Sequence, residues 1–310
     1  MTISQDVAVA TSALSRLSDA DLSSLLTIRH FEWQLLELFS KGGVAGTTHT
    51  CLGQEHVPVA LSALMRPEDS VFSNHRGHGH YLARYQDPFG LLAEITGRQG
   101  AVCGGAGGSQ HLFRAGFLST GVQGQLMPVA VGVALDLKIR EEPGVAVAFI
   151  GDGTWGQGGV YEALNLAQLW RVPLITVVEN NGIAQSTPTD SQLAGSIAGR
   201  AAGFGIRYVR VTGLDVNAIR EQLASPLEQA RAGEGPLVIE FETYRLGPHS
   251  KGDDTRENLT VARLAAHDWY ALYGQQYPEQ FRRIDADRRT LVAEVVRDVM
   301  TRPLLGASDA

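Results

Sequence analysis

The sequence predicts an α/β protein built on a doubly wound, mostly parallel sheet with helices on both faces. Three observations lead to this class. Residues 145–150 and 174–178 are apolar without alternation, as in strands buried on both sides. Between them, Tyr161, Leu164, Leu166, Leu169 and Trp170 mark a helical segment, and a strand–helix–strand order makes the two strands parallel neighbours. The same alternation of strand-like and helical segments runs from residue 128 to 244.

Taken in order, residues 19–40 read as an amphipathic helix, with Asp19 or Asp21 near its start and Gly42-Gly43 beyond its end. Residues 41–56 read as irregular, and 52–64, mostly apolar, as helical. A short strand at 71–73 runs into Asn74-His75-Arg76-Gly77-His78-Gly79-His80. Residues 88–96 read as a helix, followed by a long glycine-rich loop to Gly124. Pro128 suits the first turn of a helix reaching Arg140. A polar loop occupies 182–196. Strands at 207–211 and 237–244 flank a helix at 215–231; residues 245–258 form a charged loop, and 260–300 are mainly helical. The expected organisation is an N-terminal helical extension (1–40), a central α/β domain (41–258) and a C-terminal helical extension (259–310), with no internal repeat.

Composition bounds the function. The 310 residues are 44% hydrophobic and 19% charged, enough for a sizeable core in an ordinary globular chain. With 26 Lys and Arg against 33 Asp and Glu, the net charge of −7 argues against a nucleic-acid partner but allows local basic pockets. Cys51 and Cys103 form no metal-ligand pattern and fit a reducing compartment. Residues 1–14 lack a basic start and a long apolar core, and no apolar run is long enough to span a bilayer. A cytoplasmic protein without a membrane partner is therefore expected. The 35 glycines cluster at 97–108, 121–124, 151–159 and 195–205, which suggests shaped loops over a low-complexity segment.

The strongest motif is Gly151-Asp152-Gly153, followed after 26 intervening residues by Asn180-Asn181. Both halves fall where parallel strands end, the usual ligand edge of an open α/β sheet. Asp152 offers an anionic oxygen and Asn181 an amide oxygen, ligands suited to a Mg²⁺ ion that also holds phosphate. Gly151 and Gly153 would let the backbone approach a diphosphate. In the 74–80 segment, Arg76 suits a phosphate and His78 an active-site role; the competing reading is a turn with packed histidines. A zinc site there lacks a nearby Cys or carboxylate to complete it. Gly104 to His111 reads as a shaped loop able to approach a flat ring. From the strand ending near Tyr244 come Arg245, placed to pair with a diphosphate, and His249, placed to donate a proton. Ser250 reads as a plain loop serine ahead of a phosphorylation site. Glu162, Glu179 and Asp136 read as structural acids.

Together these motifs resemble a known family. His49-Thr50-Cys51-Leu52-Gly53-Gln54-Glu55, His75-Arg76-Gly77-His78-Gly79, Gly105 to His111, Gly121 to Pro128, the 151–181 motif and Tyr244-Arg245 through His249-Ser250 occur in family order and spacing. Over about residues 25–260 the chain resembles the alpha subunit of the thiamine-diphosphate-dependent decarboxylase component of 2-oxo acid dehydrogenase complexes, of the pyruvate, branched-chain and acetoin types. The resemblance implies Mg²⁺ held by Asp152, Asn181 and the Ile183 carbonyl, and diphosphate bound by Gly151, Gly153, Arg76 and Arg245. It places His75 beside them, the backbone of Gly121 and Gln123 against the aminopyrimidine ring, and His249 over the thiazolium with His78 nearby. This sequence departs from the family at His75, where Tyr is common, at Gln123 in place of Val, and at Ile183 in place of Tyr or Trp. Lys251, Gly252 and Arg256 give the Ser250 loop a different surface.

The implied function is decarboxylation of a small 2-oxo acid and acyl transfer to a lipoyl-bearing carrier protein. In this family the glutamate that activates the cofactor comes from a beta subunit, so an α₂β₂ heterotetramer is expected and the chain alone should be inactive. Polar groups at 75 and 123 leave a second reading open, a split transketolase-like or acyloin-forming carboligase using a ketose or 2-oxo acid. A non-catalytic homologue is the third; retention of the metal and phosphate ligands argues against it.

Overall fold

The computed structural model describes residues 13–250, 254 and 256–306. Helix α1 (Asp19–Ser40) begins where the Ser18 hydroxyl accepts the Asp21 N–H, a capping contact of the kind serine supplies. There follow α2 (His56–Ser62), β1 (Ser70–Ser73), α3 (His78–Tyr85) and α4 (Pro88–Thr96). Next come β2 (Phe113–Arg114), β3 (Phe117–Ser119), α5 (Leu126–Ile139), β4 (Ala146–Gly151), α6 (Gly158–Leu169) and β5 (Leu174–Asn180). A small hairpin, β6 (Ile183–Ala184) and β7 (Thr187–Pro188), precedes α7 (Ile197–Gly203), β8 (Arg207–Val211), α8 (Val216–Arg231) and β9 (Leu237–Glu242). The described chain ends in α9 (Asn258–Ala265), α10 (Trp269–Gln276) and α11 (Pro278–Thr301).

Seven strands form one sheet in the order β2-β3-β1-β4-β5-β9-β8, and all pairs are parallel except β2 with β3. Alternate residues of the central strands feed two cores. Val147, Phe149, Ile175, Val177 and Ile239 pack with α1, α2, α8 and α11 on one face. Ala146, Ala148, Ile150, Leu174, Val178 and Val238 pack with α5, α6 and α7 on the other. Covering both faces explains the unbroken apolar runs of β4 and β5, so the predicted doubly wound class holds.

Three local features differ from the sequence reading. The glycine-rich stretch before Gly124 contains β3, which pairs in parallel with β1 from Val71–Phe117 to Ser73–Ser119. Three residues are too few to show a period, so only the tertiary partner reveals this strand. The histidine segment enters a helix at His78, and α7 lies in a region rich in Gly and Ala that lacks a clear apolar stripe. Lys251 and Gly252, singled out for the loop surface, lie outside the described residues.

Candidate active site

All the central parallel strands point their carboxyl ends at one cavity of about 420 Å³. Asn74, His75 and Arg76 follow β1, Gly121 and Gln123 follow β3, and Gly151-Asp152-Gly153 closes β4. Asn181 and Ile183 follow β5, and Arg245 and His249 follow β9. Every one of these residues lines the cavity. The β4 and β5 ends are fixed side by side, with Gly151 opposite Glu179 in the ladder.

One wall is acidic and amide-rich. Asp152 is 2% exposed, and burial pushes its carboxyl above the usual carboxylate range, partly opposed by the Thr189 hydroxyl that donates to it. Among the described residues it has no cationic partner. The Asn181 side-chain oxygen accepts the Ile183 N–H at 3.3 Å, while its amide lies 3.5 Å from Gln54 Oε1. The Thr189 N–H donates to the Gly182 carbonyl at 3.0 Å and pins the loop carrying Ile183. A Cβ on Gly153 would come 2.4 Å from the Ala184 Cβ, so this glycine is required by the packing of that hairpin. A Cβ on Gly151 would meet nothing within 4 Å, leaving the space over the strand end open.

The opposite wall is cationic. Arg76 is 5% exposed and donates to the Thr50 carbonyl at 2.7 Å and to His249 Nδ1 and the His249 carbonyl at 3.2 Å each. It makes no ion pair among the described residues, and burial, aided by the nearby Arg245, pushes its guanidinium down to about 10. Arg245 is 2% exposed and donates to the Gln185 carbonyl at 3.1 Å. Two buried guanidinium groups and a buried carboxylate line one cavity, an arrangement whose chemistry suits an anionic ligand and a cation together. The oxygen donors Asp152, Asn181 and the Ile183 carbonyl fit a Mg²⁺ ion, and the arginines fit phosphate.

Between the walls, His49 lies 4.6 Å from His75 and 4.7 Å from His249, ring centroid to centroid. Gln123 Nε2 donates to His75 Nδ1 at 2.8 Å and to the Gly121 carbonyl at 3.1 Å, and its Oε1 accepts the Thr154 hydroxyl at 2.9 Å. The segment carrying Arg245 is fastened to the 49–56 segment by the Leu246 N–H, which donates to the Leu52 carbonyl at 3.1 Å. Gly53, at φ +92°, allows that approach, because a Cβ there would lie 2.2 Å from the Tyr244 oxygen.

Among the predicted site residues, only His78 lies off the cavity lining. It is fully buried at the start of α3, with Nδ1 3.1 Å from a Glu32 oxygen and Nε2 2.9 Å from the Ser109 hydroxyl. It fastens α1 to the glycine-rich loop, and its place near the site is behind the wall. Glu179 is both structural and part of the lining. Its carboxylate accepts from Asn74 Nδ2 at 3.2 Å and lies 3.3 Å from His80 Nε2, tying the β1 loop to the β5 loop. Sequence reasoning gave no role to Gln54, which stood inside the quoted 49–55 motif, or to Thr154 and Thr189, isolated polar residues with no motif of their own. His49 stood inside a quoted motif without a role; its position next to a buried helix was the available signal.

The strand-end location, the oxygen-rich wall and the buried arginines define a class: an α/β protein whose candidate site is suited to an anionic ligand. The chain belongs to the dehydrogenase E1 component family, whose profile matches residues 23–269. It is 40% identical over 237 residues to the pyruvate dehydrogenase E1 component subunit alpha of Zymomonas mobilis, covering 75% of this chain and 67% of that protein. It is 40% identical over 233 residues to the alpha subunit of the acetoin:2,6-dichlorophenolindophenol oxidoreductase of Bacillus subtilis, covering 74% and 70%. Against the Cupriavidus necator alpha subunit of the same name, identity is 35% over 298 residues, covering 91% and 89%.

Proposed function

We propose that this chain is the alpha subunit of a thiamine-diphosphate-dependent 2-oxo acid dehydrogenase component, decarboxylating a 2-oxo acid and passing the acyl group to a lipoyl carrier. The observation that carries this reading is the pairing of Arg76 and Arg245 with Asp152 and Asn181 across one cavity in a chain of this family. Asp152, Asn181 and the Ile183 carbonyl hold Mg²⁺, and the two arginines, with Gly151 and Gly153, hold the diphosphate. Gly121 and Gln123 meet the pyrimidine ring. When bound, thiamine diphosphate supplies the carbon that adds to the substrate carbonyl and the electron sink for the pair left as carbon dioxide departs. His249 orients the substrate or carries a proton at the reacting oxygen. His78 acts through the loop it holds and is a positioning residue.

A beta subunit completes the site in an α₂β₂ assembly. Among the described residues, the carboxylates lining the cavity are Asp152 and Glu179, and both are committed, one to the metal wall and one to Asn74 and His80. Neither is left for the pyrimidine nitrogen, which supports an acid supplied by the partner. Phe113, Val122 and Val129 are exposed at 64%, 54% and 42%, and they follow or flank the loop that carries Gln123. Exposed apolar side chains of this kind suit a subunit contact. Cys51 and Cys103 are free thiols, which fits the cytoplasm, and no helix among the described residues is long and apolar enough to cross a membrane.

Calorimetric titration of the co-purified alpha–beta protein tests the cofactor assignment. Thiamine diphosphate should bind only when Mg²⁺ is present, and tight binding without a divalent ion would contradict it. Turnover of a 2-oxo acid by the alpha chain alone would refute the shared site.

A further inference from the structure

We propose that Gln123 is a positioning residue that fixes His75 as its Nε2–H tautomer, making His75 a neutral hydrogen-bond donor to an oxygen of the molecule bound in the cavity. The identity of that molecule rests on the function proposed above; the tautomer does not.

The Gly121 carbonyl can only accept a hydrogen bond. Gln123 presents to it a side-chain atom at 3.1 Å, and that atom must be the amide nitrogen. Its oxygen then faces the Thr154 hydroxyl at 2.9 Å, which supplies the matching proton. The same amide nitrogen lies 2.8 Å from His75 Nδ1, so Nδ1 accepts and the ring proton sits on Nε2. That Nε2 is buried with no hydrogen-bond partner among the described residues. A buried donor left unmet costs free energy, and a ligand oxygen removes the cost. Burial first, then Arg76, His49 and His249, hold the His75 ring well below its usual proton affinity, so it donates as a neutral group.

The tautomer also decides against a rival use of the cluster. Ring nitrogens of His49, His75 and His249 come within 4.8 Å of one another, close enough to invite a metal ion. A histidine that binds metal through Nε2 normally donates its Nδ1–H elsewhere. Here His75 Nδ1 accepts from Gln123, and His249 Nδ1 accepts from Arg76, a group that only donates. His75 therefore keeps its proton on Nε2 and presents it as a donor.

The accepting oxygen has two sources in the proposed site, the diphosphate of the cofactor and the 2-oxo acid substrate. The experiment uses the assembled alpha–beta protein with nitrogen-15-labelled histidine and the variants Q123E, H75F and H75Q. Solid-state nitrogen-15 spectra, with His75 assigned from the H75Q difference, should show the wild-type proton on Nε2. In Q123E the new carboxylate accepts where the amide donated, and the proton should move to Nδ1. Q123E and H75F should each weaken one ligand by about tenfold, with partial rescue in H75Q, whose amide can still donate. A rise in the dissociation constant of thiamine diphosphate with Mg²⁺ assigns the oxygen to the diphosphate. A rise in KM for pyruvate at saturating cofactor assigns it to the substrate. A wild-type proton on Nδ1, or both constants within twofold in Q123E, overturns the proposal. Failure of the wild-type protein to bind thiamine diphosphate would instead overturn the functional reading, while the spectra still decide the tautomer.

Discussion

Two clusters of buried charge in this chain are built in opposite ways. Around Arg29 each charge is answered: Nε meets Glu55 at 2.6 Å, and the two terminal nitrogens meet Asp268 at 2.8 Å each. Trp33, Trp269 and Tyr270 stand 5.3, 5.0 and 5.2 Å from its guanidinium carbon, and the second Glu55 oxygen accepts from Gly53 and Trp269. Burial alone would lower its proton affinity, but the two carboxylates reverse the sign and hold it above the ordinary value. Around the cavity the shifts run the other way, Arg76 down and Asp152 up. The Arg29 charges are answered within the fold, whereas Arg76 and Asp152 are shifted against their charged forms, as the proposed ligand site would leave them before its ligand arrives.

The largest effect expected from this contrast is on stability at Arg29. Replacement by Met strands Glu55 and Asp268 and should cost about 3–5 kcal/mol in urea unfolding of the cofactor-free protein. A loss under about 1 kcal/mol would mean that the cluster is not self-satisfied. Next, Asp152→Asn should weaken Mg²⁺-dependent cofactor binding by about 100-fold, or about 2.7 kcal/mol. The same change should leave the cofactor-free protein equally or more stable, since it removes a desolvated carboxylate. If both properties fall together, the two clusters do not differ in kind.

The pH dependence sharpens the same point. The Asp152 carboxyl is raised in the folded state, so its protonation favours folding. Its contribution is fully present below the unfolded value near 3.8 and is lost as pH rises through the raised folded value. On acidification, Mg²⁺ affinity should start to fall at a higher pH than an ordinary carboxylate would give, and metal titrations at stepped pH read this directly. The smallest effect concerns His78. His78→Gln should cost about 1–2 kcal/mol of stability with little change in cofactor affinity, whereas His249→Gln should lower kcat with stability retained. A His78 variant that keeps its stability but loses kcat would return that residue to the chemistry.

The contrast also explains what could be read in advance. Asp152, Asn181, Arg76 and Arg245 stand beside glycines or at the ends of long apolar runs, where local pattern and strand-end logic coincide. Strands β4 and β5 were legible because burial on both faces leaves an uninterrupted apolar signature. Strand β3 was not, since Phe117, Leu118 and Ser119 acquire their meaning only from β1. Thr154 and Gln54 reach the cavity, and Thr189 reaches Asp152 behind its lining, through turns whose direction no local rule specifies. The packing of His78 was not legible for a related reason: it lies close to Arg76 in sequence, but the turn into α3 sends the two side chains to different neighbours. Its partner Glu32 is remote in sequence, on α1.

The junction of Gly53 with Tyr244 and Leu246 carries a kinetic consequence. The Leu246 amide is bonded to the Leu52 carbonyl, away from the ladder that protects β9. Its hydrogen exchange should follow local opening of the 244–249 segment, faster than the amides of Val238 or Ile239, whose exposure requires the sheet itself to unravel. This single amide is thus a reporter of how often the cationic wall swings away. Because Arg245 leaves with it, a ligand that grips Arg245 should slow that exchange in proportion to its occupancy.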